Sequence, residues 1–140
     1  MILFKPEHVG PILSGEKTQT RRLGKKRWNV GAVHQCNTKM FGEPFSRVHI
    51  LDVYQEKLGH ISPDSIAKEG YGGEDYKAAW DRINPKTPWD DELIVWVVTF
   101  ERVICDFCKD EGRVFDHASG WYPCAHCPKG AWQAKHWKPE

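Results

Sequence analysis

The passage Ile12-Leu13-Ser14-Gly15-Glu16-Lys17-Thr18-Gln19-Thr20-Arg21-Arg22-Leu23 constrains this chain more than any other. A short apolar stretch meets a glycine suited to the left-handed position just past a helix, and a polar run follows it. The chain therefore turns from a helix end into a strand within a few residues, with Lys17, Thr20 and Arg22 close together at the start of that strand. Charge gathers there as well. Residues 16–27 hold six basic side chains and one acidic, whereas residues 64–101 hold four basic and nine acidic. The formal net charge is only +1, so the chain as a whole has no polyanion-binding signature, but one face of the fold is expected to be positive. A solvated, lysine-rich turn would produce the same run.

The neighbouring segments mix strands and helices. Ile2-Leu3-Phe4 reads as a first strand, and Lys5-Pro6-Glu7 opens a helix through Leu13 that Pro11 should shorten or break. Residues 30–38 and 47–55 have the β-branched and apolar patterns of strands, with Gly31 marking a turn. Ser62-Pro63-Asp64 supplies a capping serine, a first-turn proline and an acid at the positive end of the helix dipole, for a helix ending at Gly70. Tyr76, Ala79, Trp80 and Ile83 repeat at i, i+3, i+4 and i+7, an apolar helical stripe suited to closing the core. After a loop over residues 84–91, residues 93–103 form the most strand-like run of the chain, and Ile94-Val95-Trp96-Val97-Val98 suits a central strand.

Gly15, Lys17, Thr20 and Arg22 match the pattern G-x-K-x-x-T-x-R of the ASCH family of small PUA-like β-barrels, and the chain resembles that family. Lys25-Lys26-Arg27-Trp28, then Val30-Gly31-Ala32-Val33, resemble its basic turn and the entry to its next strand. Ile66-Ala67-Lys68-Glu69-Gly70-Tyr71 resembles its acidic helix end, and Tyr76-Lys77-Ala78-Ala79-Trp80 its aromatic helix. The resemblance covers residues 2–103. It implies an α+β fold: a PUA-like barrel with short flanking helices over residues 1–103, followed by a small module over residues 104–140.

That module carries a metal signature of its own. Cys105-x-x-Cys108 and Cys124-x-x-Cys127 are 15 residues apart, a spacing suited to one tetrahedral four-thiolate zinc with a hairpin over residues 112–120 between the knuckles. A closed four-sulfur site leaves no position for water, so the zinc would be structural; a redox-active cysteine pair is the competing reading. His117 and His126 lie in the same segment and are not needed as ligands. Four of the five cysteines fall in these pairs, which fits a reducing compartment and a cytoplasmic protein, with Cys36 a small apolar core residue. No apolar run approaches the roughly 20 residues needed to cross a bilayer.

In part of the ASCH family the lysine, threonine and glutamate that match Lys17, Thr20 and Glu69 form the site of an amidohydrolase that deacetylates N4-acetylcytidine. By that resemblance Thr20 is the nucleophile, Lys17 activates it, Glu69 orients Lys17 or moves protons, and Arg22 holds a phosphate or the developing oxyanion. Such chemistry requires a lysine whose pKa is lowered by burial or by cationic neighbours. Lys17 and Glu69 would equally serve as a plain ion pair, and Thr20 as an ordinary strand residue. The second functional class is RNA or nucleotide binding without turnover, with Arg21, Arg22, Lys25, Lys26 and Arg27 as phosphate contacts; a ribonuclease is a further option within the family. The tail, with Trp132, His136 and Trp137 among Lys129, Lys135 and Lys138, suits either base stacking or packing back onto the barrel. The compact stand-alone amidohydrolases lack such a module, which in a third reading docks a protein partner.

Overall fold

Glycine and proline place the turns, and strand pairing fixes the rest. The computed structural model describes residues 1–71, 75–104, 113–118 and 120–123. Five strands, β1 (Ile2–Leu3), β2 (Gln19–Arg22), β3 (Val33–Asn37), β4 (Ser46–Lys57) and β5 (Ile94–Arg102), are hydrogen-bonded in the order β1-β3-β4-β5-β2. The helices are short: α1 (Val9–Ser14), α2 (Pro63–Lys68) and α3 (Tyr76–Ile83). A separate ribbon pairs β6 (Arg113–Asp116) with β7 (Gly120–Pro123). The mixed sheet and short helices make the fold α+β. No helix among the described residues is long and apolar enough to cross a membrane.

The chain divides into two compact units, one of residues 1–9, 33–49 and 102–140 and the other of residues 10–32 and 50–101. In the first, β1 runs parallel to β3, with Ile2 opposite Cys36, and β3 runs antiparallel to the start of β4, with Cys36 opposite Ser46. Ile2, Phe4, Cys36, Phe45 and Val48 are buried there, and the Phe4 ring meets His8 and Phe45 edge-on at 6.3 and 6.4 Å. Cys36 is a buried free thiol. Pro6 starts a 3-10 turn, Pro6–His8, that runs directly into α1; the helix is short as expected, but Pro11 sits within the first turn of α1 and does not interrupt it.

In the second unit β2 pairs antiparallel with β5: Gln19 faces Thr99, Thr20 faces Val98, Arg21 faces Val97 and Arg22 faces Trp96. The apolar stripe of α3 does what its periodicity predicts. Tyr76, Ala79 and Trp80 are buried in one cluster with Leu58, Tyr71, Val95 and Val97. The Trp80 indole also donates to the Thr87 carbonyl at 2.9 Å, which ties the loop after α3 to the helix. Burying several aromatic side chains of roughly 150–250 Å² each is a large favourable term for this unit. The third strand begins at Val33, because Gly31 and Ala32 are spent on a turn, and β4 runs two residues beyond the expected end, to Lys57.

Candidate functional site: a buried carboxylate between two cations

Two helix ends build the site. Helix α2 starts as its sequence predicts, with the Ser62 hydroxyl accepting from the Ser65 amide at 3.1 Å. It ends in a double hydrogen-bonded turn: the Gly70 amide donates to Ala67 and the Tyr71 amide to Ile66, with Gly70 at φ +93°. The positive φ is what favours glycine there; an added Cβ would make only ordinary van der Waals contact, 3.4 Å from Pro11 Cβ and 3.5 Å from Lys17 Cβ. This geometry turns Glu69 inward. Helix α1 ends at Gly15, φ +85°, and the chain then threads between the two helix ends: the Lys17 amide donates to Pro11 of α1 and the Thr18 amide to Lys68 of α2.

Lys17, Glu69 and Arg21 are consequently buried, at 2, 3 and 6 % exposure. All three protons of the Lys17 ammonium have acceptors: the Gln19 carbonyl at 3.0 Å, and the Glu69 carbonyl and Oε2, each at 2.9 Å. Arg21 Nη1 donates to the other Glu69 oxygen, Oε1, at 2.9 Å and to Gln19 Oε1 at 3.3 Å, while Arg21 Nη2 donates to Glu56 Oε1 at 2.9 Å. The Tyr76 hydroxyl is close enough to Glu69 to feel its charge. Two cations and the Glu69 carboxylate thus meet out of water, with the partly exposed Glu56 carboxylate at the edge, and each charge is hydrogen-bonded, as burial demands.

The electrostatics follow from that placement. Burial lowers the pKa of Lys17, while Glu69 pulls the other way and Arg22 and Arg21 add to the lowering. Burial also opposes the Arg21 charge, but Glu69 and Glu56 together push its pKa up. Burial first, and then the charge of Glu69, push the Tyr76 hydroxyl well above the ordinary tyrosine range.

Strand alternation sorts the remaining candidates. Gln19 and Arg21 face one side of β2; Thr20 and Arg22 face the other. The Thr20 hydroxyl accepts from Arg22 Nε at 3.1 Å, and the Arg22 guanidinium lies 5.7 Å over the Trp28 ring. The placement therefore brings Lys17 to Glu69 and does not bring the head of Lys17 to Thr20. Arg21, expected among the phosphate contacts, is held inside by two carboxylates. Lys25, Lys26 and Arg27 are exposed on the loop after β2, where the Trp96 indole donates to the Gly24 carbonyl at 3.0 Å. Cys105, Cys108, Cys124 and Cys127 lie outside the described residues; among those described, no group of His, Cys, Asp or Glu is placed to hold a metal ion.

Of the other members of the network, only Glu56 and Tyr76 lack a local sequence signal. Gln19 and Arg21 follow Lys17 at steps of two, a period that strand alternation would have revealed. Glu56 comes from β4, 35 residues from Arg21, and Tyr76 reads in sequence only as part of an apolar stripe.

No family model matches the sequence, and no curated protein does. Solved structures do match by shape. An ASCH domain from Lactobacillus crispatus superposes with a TM-score of 0.50 at 19 % identity, covering 67 % of this chain and 69 % of that one. A protein of the DUF984 family from Enterococcus faecalis superposes with a TM-score of 0.53 at 14 % identity, covering 69 % and 70 %. At such identities it is architecture that is shared, and the chain has the fold of an ASCH domain.

Proposed function

We propose that this ASCH-type protein acts in the cytoplasm on RNA or on a modified pyrimidine nucleoside, and that Lys17 and Glu69 are the reactive pair of an amide hydrolysis of the N4-acetylcytidine kind. One observation carries the reading: a buried lysine, its pKa lowered by desolvation, touches a carboxylate that a second buried cation holds in place. In its neutral form Lys17 takes a proton from an attacking water. The oxygen of that water bonds to the acyl carbon, the carbon–nitrogen bond breaks, and the proton passes through the Lys17–Glu69 pair to the departing amine. Water is the nucleophile in this scheme because Thr20 is held by Arg22 on the opposite side of the strand. Arg21 positions Glu69, and Arg22, Lys25, Lys26 and Arg27 meet phosphate. Release of cytidine from N4-acetylcytidine, lost on replacing Lys17, tests the scheme.

A second reading has its own support. All three Lys17 protons are already paired, and a fully satisfied network is what a binding scaffold without turnover would carry. It calls for salt-dependent affinity for single-stranded RNA and no cytidine release.

The same proposal gives Cys105, Cys108, Cys124 and Cys127 one structural zinc. Thiolate spacing supports it, and so does the position of the β6–β7 ribbon: Arg113 pairs with Pro123, so the paired end of the ribbon adjoins both cysteine pairs in sequence. Metal analysis should find about one zinc per chain, released when Cys105 and Cys108 are replaced.

A further inference from the structure

Glu56 is the outermost charge of the buried network, and the scheme above gives it no task. Its side chain is 19 % exposed, whereas that of Arg21 beside it is 0 % exposed. From this solvent edge on β4 inward, the ion pairs form a row of alternating charge, Glu56–Arg21–Glu69–Lys17. Arg21 is shared unevenly along it. Its Nε at 3.3 Å and its Nη2 at 2.9 Å both donate to Glu56 Oε1, which leaves Nη1 to donate to Glu69 Oε1 at 2.9 Å. The second Glu69 oxygen, Oε2, accepts from Lys17 at 2.9 Å. Glu56 therefore occupies the side of the guanidinium that would otherwise be free to help grip Glu69 by both oxygens, the fork that arginine and carboxylate favour.

The consequence falls on Lys17, which Glu56 reaches through Arg21 and Glu69. Among the described residues, the ionisable groups that act on Lys17 are Glu69 from the end of α2 and Arg21 and Arg22 from β2, while α1 meets it through the Pro11 carbonyl. On β5 the residues opposite Gln19 and Arg21 are the neutral Thr99 and Val97. Tyr76 of α3 and Tyr54 of β4 are close enough to Arg21 to feel its charge, and Tyr54 feels Glu56 and Asp52 as well. Of the groups acting on Lys17, only Glu69 favours its charged form; burial and the two arginines oppose it. Arg21 draws on the same Glu69 charge that Lys17 needs, and Glu56 offsets Arg21 in turn. We propose that Glu56 is a positioning residue for the Lys17–Glu69 pair: by holding one side of Arg21 it keeps Glu69 Oε2 for Lys17, and it thereby sets the pH at which the lysine becomes the neutral base. The proposal rests on the reading of Lys17 and Glu69 as a reactive pair and adds to it a control at the solvent edge. A general base works best with a pKa near the working pH, so a carboxylate that limits how far burial drives Lys17 towards the neutral form bears on the rate.

The test follows Lys17 itself, by NMR titration of the full chain carrying isotope-labelled lysine, with the Lys17 resonances assigned in each protein. Glu56→Gln keeps an oxygen for Arg21 and removes the charge, and it should move the Lys17 titration midpoint to lower pH by about half a unit or more. Glu56→Asp, whose carboxylate stands a methylene further back, should move it the same way by less, and it carries the test if Glu56→Gln does not fold. Asp52→Asn removes an exposed charge of the same sign from the same strand and should leave the midpoint within about 0.2 of the wild type. The acid limb of the pH profile of cytidine release should shift with the midpoint. A midpoint that stays put or rises in any folded Glu56 variant would overturn the proposal, since a Glu56 that only braces the fold would lower stability and leave Lys17 unmoved. So would an Asp52→Asn protein whose midpoint moves as far as that of Glu56→Gln. A midpoint that moves as expected in a protein that releases no cytidine would instead overturn the hydrolysis and leave the role of Glu56 standing.

Discussion

Lys17 and Glu69 are joined twice: the Lys17 ammonium donates to both the backbone carbonyl and the side-chain Oε2 of Glu69, each at 2.9 Å. The lysine thus closes the C-terminal end of α2, where a cation suits the helix dipole, and neutralises the side chain of Glu69, the residue that caps that helix. One residue ties the chain leaving α1 to the end of α2. It also occupies the position where a reactive amine would be needed.

Removing one partner of this pair should be costly, because it strands the other charge out of water. Glu69→Gln and Lys17→Met should each destabilise the protein by about 3–5 kcal/mol, read from urea unfolding. The double variant should fall well short of the sum of the two, since no uncompensated lysine or glutamate is left. Additive effects would show that the pair is energetically idle.

Gly70 and Gly15 both end helices with positive φ, and neither is crowded: an added Cβ would meet nothing within 4 Å at Gly15 and only ordinary van der Waals contact with Pro11 and Lys17 at Gly70. Gly15→Ala and Gly70→Ala should therefore each cost about 1–2 kcal/mol, for the backbone conformation alone. Their thermal midpoints should fall by similar amounts; a midpoint for either variant equal to that of the wild type would show that the left-handed conformation at that position carries no cost.

Stability should depend on pH in a way that isolates Tyr76. The pKa of Lys17 is lowered in the folded state, so below about pH 10.4 there is a window in which the unfolded chain binds the extra proton, and there stability rises with pH. Tyr76 acts in the opposite sense. Its pKa is raised, so above about pH 10 the unfolded chain releases a proton that the folded one keeps, and stability falls. Tyr76→Phe lacks this group, so the stability of the wild type relative to Tyr76→Phe should fall between about pH 8 and pH 11. Chemical denaturation at pH 8 and pH 11 measures both points; a wild type that gains on the variant over that interval would refute the assignment.

The exposed basic loop after β2 should set the salt dependence of RNA binding. Replacing Lys25, Lys26 and Arg27 together by alanine should reduce the slope of log affinity against log salt by about 2, from roughly 0.7 per phosphate contact on a single strand. An unchanged slope would place the phosphates elsewhere.

Much of this was legible in the sequence because the signals were local. The cap at Ser62, the stop at Gly70, the stripe of Tyr76, Ala79 and Trp80, and the turn from Gly15 into a strand all sit where residue chemistry predicts them. The motif spacing also indicated the ASCH fold that the solved structures share. The internal arrangement of the site was less legible. Lys17, Thr20 and Arg22 are neighbours in sequence, but a strand sends Thr20 and Arg22 to the side opposite Arg21, whose guanidinium shares Glu69 with Lys17. Glu56 joins the site only through the tertiary fold, so nothing near Arg21 in sequence announces that this arginine is buried and doubly paired.

The most direct measurement of the central claim is chromatographic detection of cytidine after incubating the protein with N4-acetylcytidine, beside Lys17→Met and Glu69→Gln variants shown to be folded. The account predicts release by the wild type and loss of at least about a hundredfold in either variant, the lower range for removing a general acid–base group. No release by the wild type, or release that survives both substitutions, would contradict it.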